Sequence, residues 1–158
     1  MFEAHYDIVF RLIRRLGVDV ARAEDGAQQV FVVAARRLGD VIAGKERAFL
    51  TATAVNVAYR LRSERGHQEM PSEPPQSGPD TEQLVDQKRR RELLDRLLAE
   101  MEEDLRIVLV LAEIEGQGKR EIAEVLEIPE GTVASRLRRA REDFLARLKR
   151  DRARRSVG

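Results

Sequence analysis

Residues 116–148 constrain the fold of this chain more than any other stretch. Their sequence, GQGKREIAEVLEIPEGTVASRLRRAREDFLARL, predicts two helices joined by a tight turn. Gly116 and Gly118 break the chain before the first helix, which is expected over residues 119–126. Pro129 suits the first position of the second helix, since its fixed φ is helical and its missing N–H would lack a partner there. This pattern predicts a helix-turn-helix, whose second helix enters the major groove of DNA.

The second helix separates apolar and polar residues on opposite sides. The apolar side carries Val133, Leu137, Ala140, Phe144 and Leu148, and the other side carries Gly131, Ser135, Arg138, Arg139 and Glu142. Arginines can pair bidentately with guanine or phosphate, and hydroxyl groups can reach a phosphate or a base edge. The candidate duplex contacts are therefore Lys119, Arg120, Thr132, Ser135, Arg136, Arg138 and Arg139. The alternative is a surface helix whose arginines are merely solvated.

The turn between the two helices has one unusual residue, Glu127. A turn of this kind usually has glycine here, because the backbone takes a positive φ. A glutamate in that conformation costs roughly 1 kcal/mol. We therefore expect a slightly reshaped turn.

The motif REIAEVLEIPEGTVASRLRRAR resembles the promoter-reading C-terminal region of bacterial RNA polymerase sigma factors of the sigma-70 family. It is most similar to the extracytoplasmic-function group. The family pattern has lysine where this chain has Ala134. The resemblance implies an all-α protein that binds DNA without cofactor or metal.

Charge and composition agree with DNA binding. The net charge is only +1, yet residues 131–158 contain 10 basic and 3 acidic side chains. A basic recognition helix on an acidic support is typical of a DNA-binding face. The chain has no cysteine, which excludes a disulfide framework and a cysteine-based zinc site. Without a signal-peptide pattern or a long apolar run, we expect a cytoplasmic location.

The rest of the chain predicts two small helical domains joined by a flexible linker. Residues 1–66 carry three helical patterns that can form an N-terminal bundle. The segment HQEMPSEPPQSGPD, residues 67–80, has the composition of a linker. Residues 81–150 are expected to form a four-helix domain that contains the helix-turn-helix. Residues 151–158 form a basic tail, and we expect the chain to fray from Lys149 onward.

Two segments of the first domain are also similar to sigma factor regions. AEDGAQQVFVVAARRL is similar to the segment that docks on a coiled coil of the largest subunit of the polymerase, which implies polymerase contacts by Asp25, Gln28 and Phe31. ERAFLTATAVNVAYRLRSER resembles the promoter-opening segment. Capture of an unstacked base needs a pocket, a polar group and cations along the strand. The candidates are Lys45, Arg47, Asn56, Arg60, Arg62 and Arg65.

This chain departs from the family pattern at three positions in that domain. Phe49 stands for a tryptophan, Val55 for a basic residue, and Ala35 for an aromatic residue. Apart from Phe31, which also suits a core position, the candidate contacts are polar and suit an exposed face.

These patterns predict a sigma factor that binds core RNA polymerase and reads an upstream and a downstream promoter element. The resemblance also implies an anti-sigma partner and no small-molecule substrate. A stand-alone helix-turn-helix regulator and a degenerate sigma-like interaction protein remain alternatives. An enzyme is disfavoured, because His5 and His67, the only histidines, belong to no catalytic constellation.

Overall fold

The structure is a computed structural model that describes residues 2–65 and 81–157. Seven α-helices account for most of these residues: α1 (Phe2–Arg15), α2 (Val20–Arg36), α3 (Glu46–Arg65), α4 (Glu82–Glu100), α5 (Glu103–Leu109), α6 (Lys119–Leu126) and α7 (Glu130–Val157). A short 3-10 turn, Leu38–Asp40, follows α2, and a π-helical turn, Val110–Ile114, follows α5. The described ranges contain no strand, which confirms the predicted all-α class.

The predicted linker at 67–80 lies outside the described residues, as does the side chain of Arg65. None of the helices between residues 2 and 65 or between 81 and 157 combines the length and the apolarity that a membrane crossing needs.

Helices α1, α2 and α3 form the N-terminal bundle. The Asp19 carboxylate accepts a hydrogen bond from the backbone N–H of Arg22 at 2.9 Å and so caps the start of α2. Gly26 lets α2 and α3 approach closely, because a Cβ at this position would lie 2.9 Å from Leu61 Cδ1. Ile13 of α1 is fully buried in the same core, which contributes about 1.5–3 kcal/mol.

Helices α4 to α7 form the C-terminal half, and α6 and α7 are the predicted helix-turn-helix. Ile122 of α6 and Val133 of α7 have no exposed surface, so the two helices are held by apolar packing. The turn contains Glu127 in the left-handed conformation, with φ 56° and ψ 46°, as the sequence predicts. Ile128 N–H donates to Ala123 O at 3.1 Å and closes the turn.

The two halves pack against each other, so their cores are continuous rather than separate. Buried residues of α1, α3, α5 and α6 belong to one apolar cluster. The halves meet mainly where α3 packs on α6 and α1 on α4, and residues 105–109 of α5 are all buried beside them.

The centre of this junction is Arg106 on α5, which is 2% exposed. Its guanidinium group donates to three carbonyl oxygens: Leu98 O at 2.9 Å, Leu16 O at 3.0 Å and Met101 O at 2.7 Å. Burial lowers the pKa of Arg106 to about 10, and the nearby Arg62 charge adds to this effect. The group therefore stays charged at neutral pH, and the carbonyl oxygens compensate for lost hydration.

The chain at the end of α1 makes room for this contact. Arg62 of α3 also donates to Leu16 O, at 3.2 Å. The next residue, Gly17, has φ +98°, and a Cβ there would overlap the guanidinium nitrogens of Arg62 and Arg106. Only glycine combines this backbone conformation with the absence of a side chain.

The C-terminal tail is helical, which corrects the expected fraying from Lys149. Helix α7 continues to Val157 because its second half is tied to α4. Arg96 of α4 hydrogen-bonds Asp151, and Arg147 of α7 pairs with Glu100 at 3.6 Å. These tertiary contacts lie outside the local sequence pattern from which fraying was predicted.

Candidate nucleic-acid interface

Most of the duplex contacts predicted on α6 and α7 lie on the surface of the C-terminal half. Lys119, Arg120, Ser135, Arg138 and Arg139 are exposed, whereas Thr132 and Arg136 are partly buried at the edge of the same surface. The apolar stripe of α7 faces inward, which fixes the rotation of the helix and turns the arginines outward. Three of the seven predicted side chains, Lys119, Ser135 and Arg138, line one groove, whereas Arg120, Thr132, Arg136 and Arg139 lie outside it.

A groove of about 570 Å³ follows the exposed side of α7 and reaches the first residue of α6. Its lining consists of Lys119, Gly131, Ala134, Ser135, Leu137, Arg138, Arg141, Glu142 and Leu145. Small residues near the start of α7 let a partner approach the backbone, and Arg138 offers a planar fork for a phosphate or a guanine edge. We call this lining the recognition groove.

The arginines of the recognition helix differ in how they are engaged. Arg141 is bound to Glu113, with Nη2–Oε1 and Nε–Oε1 distances of 2.6 and 2.7 Å. Within the described residues, Arg136, Arg138 and Arg139 form no ion pair. These three guanidinium groups are therefore available to an anionic ligand.

The N-terminal half holds its predicted strand contacts differently. Arg47 donates to Glu115 O at 3.2 Å and lies 3.6 Å from the Glu115 carboxylate, across the junction between the halves. Arg62 lies 3.7 Å from the carboxylate of Glu103. Arg60 hydrogen-bonds the Gln29 side chain on α2. Three of the predicted cations are thus bound by the protein itself.

Two predicted strand contacts remain open to solvent. Lys45, just before α3, is exposed, and so is the amide of Asn56 on α3. Neither side chain has a hydrogen bond or ion pair within the described ranges. An exposed amide can bind a base edge, and an exposed cation can bind a phosphate of the strand.

Two departures from the family pattern have a structural explanation. Val55 is 5% exposed and packs in the core. An apolar side chain suits this position, where the family pattern has a basic residue. Phe49 is partly buried, and the Arg37 guanidinium lies 5.7 Å from the centre of its ring. Phe49 therefore keeps an aromatic surface near the start of α3.

The predicted polymerase contacts lie on α2. Asp25 and Gln28 are exposed one turn apart. Phe31 is partly buried and stacks on Tyr6 with ring centres 6.0 Å apart, so it supports the bundle. The sequence patterns do not single out Val32, which is 48% exposed one turn after Gln28 and extends the same face.

Arg106 and Glu115 were also not predicted as junction residues. The available signal for Arg106 was its place inside a continuous apolar run, LRIVLVL, where a charge needs internal partners. Glu115 gives no such signal, because its partner Arg47 is distant in the sequence.

Comparison with known proteins assigns both halves. The family model described as Sigma-70 region 2 matches residues 1–67, and the model for Sigma-70 region 4 matches residues 91–144. The RNA polymerase sigma-H factor of Pseudomonas aeruginosa is 33% identical over 155 residues, which cover 85% of this chain and 77% of that protein. This chain belongs to the sigma-70 family.

The ECF RNA polymerase sigma factor SigE of Mycolicibacterium smegmatis is 30% identical over 152 residues. The match covers 90% of this sigma-70 family chain but only 59% of SigE. With such relatives, the chain is a member of the extracytoplasmic-function group. Region 2 corresponds to α1–α3, and region 4 contains the helix-turn-helix. This family consists of transcription initiation factors rather than enzymes.

Two solved structures have the same fold as this family member. CnrH, solved in complex with the cytosolic domain of CnrY, gives a TM-score of 0.71 at 23% identity, covering 94% of this chain and 85% of that one. RpoE from Bartonella quintana, solved in complex with the anti-sigma factor NepR, gives 0.69 at 21% identity, with coverage of 94% and 96%.

Proposed function

We propose that this protein is a sigma factor that binds core RNA polymerase and directs promoter-specific transcription initiation. The observation that carries the proposal is the pairing of region 2 and region 4 with an exposed recognition helix. On that helix Arg136, Arg138 and Arg139 have no internal ion pair within the described residues. If the protein were instead a stand-alone regulator, its region 2 would have no evident role.

The upstream promoter element is read as a duplex by α6 and α7. The N-terminal part of α7 enters the major groove, where Ser135 and Arg138 can reach base edges. Lys119 and Arg120, at the start of α6, are placed for the phosphates beside the groove. Phosphate contacts fix the register of the protein, and base contacts supply the specificity.

The downstream element is captured by α3 after the duplex opens. Asn56 supplies the polar group for a base edge, and Lys45 supplies a cation for the strand. Arg47 and Arg62 join them once the two halves of the protein move apart, and Arg60 joins when it exchanges its Gln29 contact for the strand. Binding of the separated strand then offsets the cost of unstacking its bases.

Polymerase docking uses the exposed face of α2, where Asp25 and Gln28 offer hydrogen bonds to a coiled coil of the largest subunit. Val32 adds an apolar contact beside them. The protein has no catalytic role of its own and acts by recruitment in the cytoplasm, where the polymerase works.

An anti-sigma factor is a further partner. The proposal is supported by the RpoE structure, in which a protein of the same fold is complexed with an anti-sigma factor. Such a partner would keep the two halves together and withhold them from the polymerase.

Run-off transcription tests the proposal with purified core polymerase, this chain and a library of promoter fragments. We expect transcripts that start downstream of a shared pair of sequence elements. Binding to core polymerase without any transcript would favour a degenerate sigma-like protein. Tight operator binding without core binding would favour a stand-alone regulator.

A further inference from the structure

The last turns of α7 extend beyond the matched part of region 4, which ends at residue 144. We call residues 149–155 the basic extension. It carries five basic side chains and a single acidic one, Asp151. Because the extension continues the recognition helix, its position relative to DNA is set by the rotation of α7.

The extension is held in place by its acid. The Asp151 side chain is 15% exposed and is bound by Arg96 of α4 and, at 3.2 Å, by Arg155. The remaining cations of the extension are Lys149, Arg150, Arg152 and Arg154. All four are exposed, and none has an ion pair in the described part of the chain. Asp151, the single acidic residue of the extension, is already paired with Arg96 and Arg155.

Two of these four cations continue the recognition groove. Residues spaced alternately by four and three positions lie along one side of a helix. That spacing joins the groove residues Gly131, Ser135, Arg138, Glu142 and Leu145, and its next two members are Lys149 and Arg152. Arg150 and Arg154 follow the same spacing from Asp143 and Arg147, on a different side of the helix. The extension therefore presents two pairs of cations with distinct directions.

The length of α7 places the first pair beyond the major groove. Lys149 is eleven residues after Arg138, which at 1.5 Å per residue is about 16 Å along the helix axis. The major groove is about 12 Å wide, so a helix with Arg138 inside it reaches the flanking phosphates at Lys149. Glu142 separates Arg138 from this pair and leaves two distinct cationic contact points.

We propose that Lys149 and Arg152 bind the phosphate backbone of the duplex beside the upstream element, without regard to its sequence. This inference rests on the proposed function, because it takes the DNA-facing side of α7 from it. Phosphate contacts carry no sequence information. The pair therefore strengthens binding to every duplex and leaves the choice of promoter to the residues inside the groove.

The test compares two variants that remove the same charge from the same helix. The full-length protein, assembled with core polymerase, carries either Lys149→Gln with Arg152→Gln or Arg150→Gln with Arg154→Gln. Fluorescence anisotropy measures its affinity for the upstream-element duplex and for a scrambled duplex over a range of KCl concentrations. Each lost phosphate contact lowers the slope of log affinity against log salt by about 0.9. We expect the first variant to lower the slope by about 1 to 2 on both duplexes, and the second to keep the wild-type slope.

A third variant, Arg138→Glu, reverses a charge inside the recognition groove and separates failure of this inference from failure of the proposed function. If it abolishes binding to the upstream element while the first variant keeps the wild-type slope, the extension is not a phosphate contact and the proposed function stands. Equal reductions by the first and second variants would overturn the directional contact in favour of a general charge effect. Unchanged promoter affinity in the third variant would contradict the proposed function itself. Circular dichroism confirms that all variants keep the helix.

Discussion

Helices α3 and α7, the two proposed DNA-binding helices, hold their cations in opposite ways. On α7, Arg138 and Arg139 face solvent without an ion pair among the described residues. On α3, Arg47 and Arg62 are bound by groups of the C-terminal half. This difference shows that, in the compact arrangement, the arginines proposed to bind the duplex are available to DNA. Two arginines proposed to bind the separated strand instead hold the two halves together.

The largest effect is expected from a change to the unpaired arginines of α7. Changing Arg138 to Glu places a carboxylate in the recognition groove and should weaken binding to the upstream element about 100-fold. Affinity for core polymerase should not change, because α2 is untouched. Both are measured by fluorescence anisotropy with labelled duplex or labelled protein. The same reversal at Arg150, on a different side of α7, is the control, and an equal loss there would contradict the assigned face of α7.

The next largest effect concerns the junction between the two halves, where arginines of α3 are bound. Arg106→Ala removes three hydrogen bonds from a charged donor and leaves three carbonyl oxygens without it. We expect a loss of about 3 kcal/mol in the free energy of unfolding, measured with urea. Arg90→Ala, at an exposed site on α4, should change it by less than about 0.5 kcal/mol. A loss below about 1 kcal/mol for Arg106→Ala would mean that apolar packing alone holds the junction.

A smaller effect should follow when one cation of α3 is freed. Glu115→Gln removes the charge that pairs with Arg47, and exposed or partly exposed pairs contribute about 0.2–1 kcal/mol. The protein without polymerase, in which the halves are together, should therefore bind a single-stranded downstream-element oligonucleotide about two- to fivefold more tightly. Glu100→Gln removes the same charge from a pair within the C-terminal half. If it strengthens strand binding equally, the gain is due to net charge and not to Arg47.

The smallest effect contrasts the turns of the two halves. Gly17 and Gly44 take positive φ angles in the N-terminal half, whereas Glu127 does so in the helix-turn-helix. Glu127→Gly should raise the free energy of unfolding by about 0.5–1 kcal/mol, because glycine relieves the backbone strain. Glu124→Gly, inside α6, should lower it by about 1 kcal/mol. Destabilisation by Glu127→Gly would indicate that the glutamate side chain itself stabilises the turn.

The sequence predicts the elements of the fold well because their signals are local. The cap at Asp19, the positive φ of Glu127 and the inward stripe of α7 each depend on neighbouring residues only. The predicted helices and the exposed arginines follow from those patterns, and so does the placement of Asp25 and Gln28 on one exposed face.

The features that the sequence does not predict depend on residues far apart in the chain. Arg106 donates to Leu16 O across the junction, and Arg47 meets Glu115 from the other half. The helical extension of α7 depends on the contact between Arg96 and Asp151. None of these pairs shares a helical repeat, so periodicity contains no information about them.

Gly17 makes the closed junction unusually sensitive to a very small change. The chain leaves α1 at this residue, and the guanidinium groups of Arg62 and Arg106 occupy the space that a Cβ atom would need. Adding one methyl group there would act as a wedge, pushing the arginines of both halves off the same carbonyl oxygen. The Gly17→Ala variant would keep every charge, yet Arg62 and Arg106 would lose their hydrogen bonds to Leu16 O, of which the Arg106 bond joins the two halves. A substitution at Gly17 would thus shift the equilibrium from joined halves towards separated halves, although this residue is not among the proposed contacts with DNA or polymerase.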